Sequence, residues 1–101
     1  MKVNEIIREG ADFMAYKKEG DTWTYPKGFE IETPHRSNMA VRQFLSRVGL
    51  DPDFENSGPM EINKFIGAMS KHDNDREAKM YHDEAMRFKK EYPELTHVSF
   101  V

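Results

Sequence analysis

Two stretches of this chain repeat one apolar spacing, and that spacing limits what the middle of the chain can become. In SNMAVRQFLSRVG, Val41, Phe44, Leu45 and Val48 fall at i, i+3, i+4 and i+7; in GPMEINKFIGAM, Ile62, Phe65, Ile66 and Met69 do the same. This spacing gathers four apolar side chains into one stripe, the mark of a helix laid on a core. Ser37 is placed to cap the first helix and Gly49 to take its left-handed C′ position. Pro59 suits the first position of the second helix, where a missing N–H costs nothing. A third helix is predicted over NDREAKMYHDEAMRFKKEY. Asn74 with Glu77 makes a capping-box-like start, and Pro93 ends it.

In that third helix Ala78, Tyr81, Ala85, Phe88 and Tyr92 form a narrow seam, too short for a free-standing coiled coil. The economical expectation is a seam laid across the rest of the domain. The alternative is a two-fold contact with a second copy, which makes Tyr81, Ala85, Phe88 and Tyr92 the candidate interaction surface and the protein a helix-mediated structural homodimer. Asp75 with Lys79, and Asp83 with Arg87, are i,i+4 pairs expected on the wet face.

Residues 12–32 follow a different period. Phe13-Ala15, Trp23-Tyr25 and Phe29-Ile31 are short alternating segments, separated by turn signals at Glu19-Gly20-Asp21 and Pro26-Lys27-Gly28. They predict a small antiparallel meander. The C-terminal THVSFV alternates as well and is expected to close the sheet. The fold expectation is α+β: a small antiparallel sheet, meander plus C-terminal strand, with about three helices packed on one face. At 101 residues the chain reads as a single domain.

Composition narrows the function classes. Acidic residues number 18 against 15 Lys and Arg, so the basic footprint of a general nucleic-acid binder is missing. Arg36, Arg42 and Arg47 make a local basic face, as do Arg87, Lys89 and Lys90, and such runs are normally solvated. LSRVGLD is superficially similar to the turn of a helix-turn-helix, yet Asp51-Pro52-Asp53 would set acids against phosphate. Cysteine is absent, which excludes a disulfide framework, a thiolate metal site and a cysteine nucleophile. No apolar run is long enough to span a membrane, and the N-terminus lacks a secretory core segment, so a cytoplasmic protein is expected.

Catalytic motifs are sparse. The serines lie in no G-x-S-x-G elbow, and neither phosphate-loop pattern occurs. Four histidines are present, at positions 35, 72, 82 and 97, and His72-Asp73 and His82-Asp83 carry the dipeptide of HD-type phosphohydrolases. Adjacent helical residues point about 100° apart, so such a pair cannot easily share one metal. The histidines are expected at the surface or at helix ends. The alternative is a small ligand-binding domain or hydrolase that uses His72 and His82 with nearby acids.

The segment DFENSGPMEINKF, residues 53–65, resembles a degenerate EF-hand loop. Asp53, Glu55 and Ser57 fall at its first, third and fifth positions, Gly58 at the sixth and Met60 at the eighth. The twelfth position, where calcium normally takes two oxygens from one carboxylate, is Lys64. No metal and no cofactor are therefore expected.

The first ten residues, MKVNEIIREG, place Val3, Ile6 and Ile7 on one side of a short helix and charges on the other. They resemble the capsid-targeting leaders of internal head proteins in T-even-type phages, which a prohead protease cuts after a glutamate preceded two residues earlier by leucine or isoleucine. Ile7-Arg8-Glu9 before Gly10 fits that pattern, which makes Glu9 and Gly10 the candidate cleavage site and residues 1–9 a removable leader. The plainer reading is an N-terminal helix packed on the domain. The expectation for the whole chain is a small non-enzymatic accessory protein of phage type. It would act by binding another protein, inside the head or against a host factor, in the host cytoplasm or virion interior.

Overall fold

One strand holds the sheet together. β1 (Asp12–Glu19) pairs antiparallel with β5 (His97–Phe100) along one edge, Phe13 opposite Phe100 and Tyr16 opposite His97. Its other edge is shared by β2 (Thr22–Thr24), with Lys18 opposite Trp23, and β3 (Glu30–Glu32), with Phe13 opposite Ile31. β4 (Met60–Glu61) adds to β5. The computed structural model that shows this describes residues 12–35 and 37–100. The N-terminal amphipathic segment with Glu9 and Gly10 lies outside the described residues.

The expected mixed fold is what the chain adopts, an open antiparallel sheet with helices, but the first three strands are not a meander. Gly20 turns the chain with φ 62°, as its neighbours Glu19 and Asp21 signal. Pro26-Lys27-Gly28 does not reverse it. Tyr25 to Phe29 stand opposite only Ala15 and Tyr16, so this turn signal makes a bulge that carries the same arm onward into β3. The Ala15 N–H donates to the Phe29 carbonyl at 3.0 Å across the bulge.

The helices follow their local signals closely where those signals are local. α1 (Asn38–Arg47) begins at Ser37, whose hydroxyl accepts from the Ala40 N–H. It ends with Gly49 at φ 82°, its N–H donating to Ser46, and the Leu50 N–H donating back to Leu45. These two bonds are those of a Schellman cap. α2 (Phe54–Ser57) is a single turn. α3 (Ile62–Ser70) starts three residues after Pro59, so Pro59 is not its first residue. Met60 pairs instead with Val98, and the Ile62 N–H donates to the Thr96 carbonyl, so strand pairing claims the segment the proline was expected to start. α4 (Arg76–Glu91) is capped by Asp75 rather than Asn74, because the Asp75 carboxylate takes the Glu77 and Ala78 N–H groups. Asp75 also accepts from Arg47, so it forms no Lys79 pair; Arg87 bonds Glu84 and Glu91 rather than Asp83.

All four helices feed one core against the face of the sheet that carries Phe13, Ala15, Val98 and Phe100. Phe13 sits at its centre. Its ring lies 5.2 Å from those of Phe65 and Tyr81, 5.3 Å from Phe100 and 6.0 Å from Phe88. The seam proposed as an interaction surface is part of this core. Tyr81, Ala85 and Phe88 have no exposed surface and Tyr92 is half-buried, and the element that approaches α4 most closely is α3. Replacing Ala85 by Glu should therefore unfold the domain. A buried unpaired carboxylate costs several kcal/mol, which is comparable with the whole stability of a small domain. Circular dichroism should show loss of helix at room temperature. A folded variant with an unchanged thermal midpoint would place the seam outside the core.

Candidate aromatic binding face

The sheet has a second face, and its side chains follow from strand alternation. Opposite Phe13 and Ala15 stand Asp12, Met14, Tyr16 and Lys18 on β1, and residues directly paired with them share their side. That places Trp23 of β2, Glu30 and Glu32 of β3, His97 and Ser99 of β5, and Glu61 of β4 on the same surface. Trp23 is 41% exposed and Tyr25, in the bulge, 60%, so this surface keeps large rings in water while every phenylalanine of the core is enclosed.

The rings form one cluster. Tyr16 meets Trp23 at 6.1 Å and Tyr25 at 5.8 Å, and Trp23 meets His97 at 4.9 Å, all edge to face. The Lys18 ammonium lies over the Trp23 ring. Edge-to-face contacts fix the orientation of each ring, which keeps the surface ordered without burying it. Beneath the cluster, the Ser99 hydroxyl donates to the Tyr16 oxygen at 3.1 Å. Tyr16 and Ser99 also border a cavity of about 330 Å³ where α1 and α2 rise beside the sheet. Asn38, Phe54 and Glu55 form its far wall, with Asn38 donating to Glu55 at 2.7 Å.

His97 is the titrating member of the cluster. Burial pushes its pKa below the usual value, the Glu61 carboxylate pulls it up, and the Lys18 ammonium pushes it down. Its net shift is downward, so it is neutral at pH 7.

The residues singled out from sequence are dispersed. His82 Nδ1 lies 3.2 Å from Asp83, in a shallow surface depression with Asp73 and Lys79 that His72 does not line. His72 follows the end of α3, its N–H donating to Met69. Two acids of the EF-hand-like segment, Asp53 and Glu55, are engaged within the chain. Asp53 receives the Asn56 amide, and Glu55 holds Asn38 and Arg42. Asp51 accepts the Ser57 hydroxyl first and the Asp53 N–H second, which lowers its pKa. Among the described residues no group of three or more His, Asp or Glu is placed to share a metal ion.

His35 departs from the surface placement expected of the histidines. It is 6% exposed, stacked on Tyr81 with its Nδ1 2.8 Å from the phenol oxygen. Its Nε2 lies 3.4 Å from Glu77 and, among the described residues, has no hydrogen-bond partner. Glu77 in turn accepts from Arg47 at 2.8 Å, and Arg47 donates to Asp75 at 2.8 Å. The hydrogen bond from Arg47 lowers the Asp75 pKa, and burial raises that of Tyr81. This polar column ties α1 to α4, buried at His35 and open to solvent at Arg47.

Fold and face together define a small α+β module with an ordered aromatic surface on the sheet face opposite its core. Comparison with known proteins adds no relative: no family model matches the chain, no characterised protein matches its sequence, and no solved structure matches its fold at a significant level. No helix among the described residues is long and apolar enough to cross a membrane.

The contact between His97 and the chain's one tryptophan supplies a direct measurement. A charged imidazolium quenches indole, so Trp23 emission should fall with an apparent midpoint below the ordinary histidine value of about 6.5. The same depressed pKa means that the unfolded chain takes up the proton first. The stability linked to His97 is then complete above pH 6.5 and is lost as pH falls through and below that value. His97→Gln should abolish the fluorescence titration, and a midpoint at or above 6.5 would contradict the half-buried placement of the ring.

Proposed function

We propose that this chain is a non-enzymatic protein-binding module whose contact surface is the aromatic sheet face. The observation that carries the reading is the exposure of Trp23 and Tyr25 beside Tyr16 on the surface the helices leave open. Trp and Tyr dominate the energetic centres of protein interfaces, because each supplies a large rigid apolar area together with a polar edge. A face built only for solubility would carry charged or small polar groups at these positions. The phage-accessory setting, with a partner in the capsid or among host factors, belongs to this proposal and rests on Ile7-Arg8-Glu9-Gly10 alone.

The test is the double variant Trp23→Ala/Tyr25→Ala. Both side chains lie outside the core, so the domain should stay folded, with a stability change of no more than about 1 kcal/mol. Crosslinking in the native cell, followed by mass spectrometry, should show a protein joined to the unaltered chain and lost from the variant. A variant that keeps the same crosslinked proteins would remove the aromatic face from the function. A variant that unfolds would make the cluster structural.

A further inference from the structure

The charges around the aromatic cluster restrict what can dock there. The face takes Glu30 and Glu32 from β3 and Glu61 from β4, all exposed. Among the described residues the strands set the Lys18 ammonium against these three carboxylates, and the bulge that carries Tyr25 adds Lys27. His97 adds no charge near neutral pH, because burial depresses its pKa. The result is a set of exposed aromatic rings on a face where exposed carboxylates outnumber ammonium groups.

Each component narrows the partner. Exposed indole and phenol rings attract cations through their faces, an effect worth about 0.5–1 kcal/mol at exposed sites. Carboxylates beside them add attraction for the same groups and speed their approach. A polyanion meets the opposite field. Aromatic rings on an open sheet are also the usual stacking platform for single-stranded nucleic acid, but such platforms lie in positive grooves. Here carboxylates outnumber ammonium groups, so stacking would be opposed by phosphate repulsion.

Resting on the binding role proposed above, we infer that the partner presents a basic segment, with arginine or lysine side chains spaced among apolar ones. That segment lies across Tyr16, Trp23 and Tyr25 with its cations toward Glu30, Glu32 and Glu61. The apolar side chains of the segment cover the rings. Its cations satisfy the rim and compete with Lys18 for the Trp23 face.

Trp23 reports occupancy of the face without a label. The full chain is titrated with an acetylated, amidated peptide of alternating arginine and valine, with its glutamate and valine counterpart, and with oligothymidylate. The basic peptide should give a saturable change in Trp23 emission that weakens as salt is added. The triple variant Glu30→Gln/Glu32→Gln/Glu61→Gln keeps every ring and should weaken that binding about tenfold. Equal or tighter binding of the acidic peptide would overturn the basic-partner inference while leaving the binding face intact. Tighter binding of oligothymidylate would replace the protein partner with a nucleic acid. Absence of any emission change with all three would overturn the inference. The protein-binding role itself then stands or falls by the crosslinking of Trp23→Ala/Tyr25→Ala.

Discussion

The enclosure of Phe13 by side chains from both layers is the interaction on which the rest of the molecule depends. Its ring touches Phe65 of α3, Tyr81 and Phe88 of α4, and Phe100 of β5. The strand that carries it also pairs with β2, β3 and β5. Two short strands and a four-residue strand make a marginal sheet by themselves, and β1 joins them into one surface. Burying one face of β1 under helices commits alternate residues to the other face. The aromatic cluster is thus a geometric consequence of the core, since Tyr16 follows Phe13 and Ala15 along the same strand.

Much of the helical layer was legible because its signals are local. Ser37, the stripe of Val41, Phe44, Leu45 and Val48, and Gly49 lie within one short span, and each acts through neighbours a turn away. The pattern failed where a distant partner decides the outcome. Pro59 has the chemistry of a helix start, yet Val98 takes Met60 into the sheet. Pro26-Lys27-Gly28 has the chemistry of a reversal, yet β1 is long enough to pair on both sides of the bulge. Asn74 and Asp75 are both able to cap α4, and Arg47 on α1 holds Asp75 in place.

The candidate site was less legible than the fold for a related reason. Alternation along Trp23-Thr24-Tyr25 puts both rings on one side, but it does not say which side the helices cover. That depends on α3 and α4 finding Phe13, far along the chain. His35 shows the same limit. Its sequence surroundings, between β3 and the cap of α1, are those of a polar loop, and the distant Phe44 and Tyr81 enclose it. The four histidines therefore divide by tertiary placement. His35 is enclosed, His97 belongs to the aromatic face, and His72 and His82 lie near the ends and outer side of helices.

β1 separates a core face from an open aromatic face, and its adjacent residues Phe13 and Met14 test that separation most directly. Chemical denaturation of Phe13→Ala and Met14→Ala compares the two sides of one strand at neighbouring positions. Phe13→Ala should lose about 3–5 kcal/mol or fail to fold, because it empties the centre of the core. Met14→Ala removes a half-buried side chain from the opposite face and should lose less than half as much. Equal losses at the two positions would mean that both faces of β1 are packed alike, and the division between core and open aromatic face would be wrong.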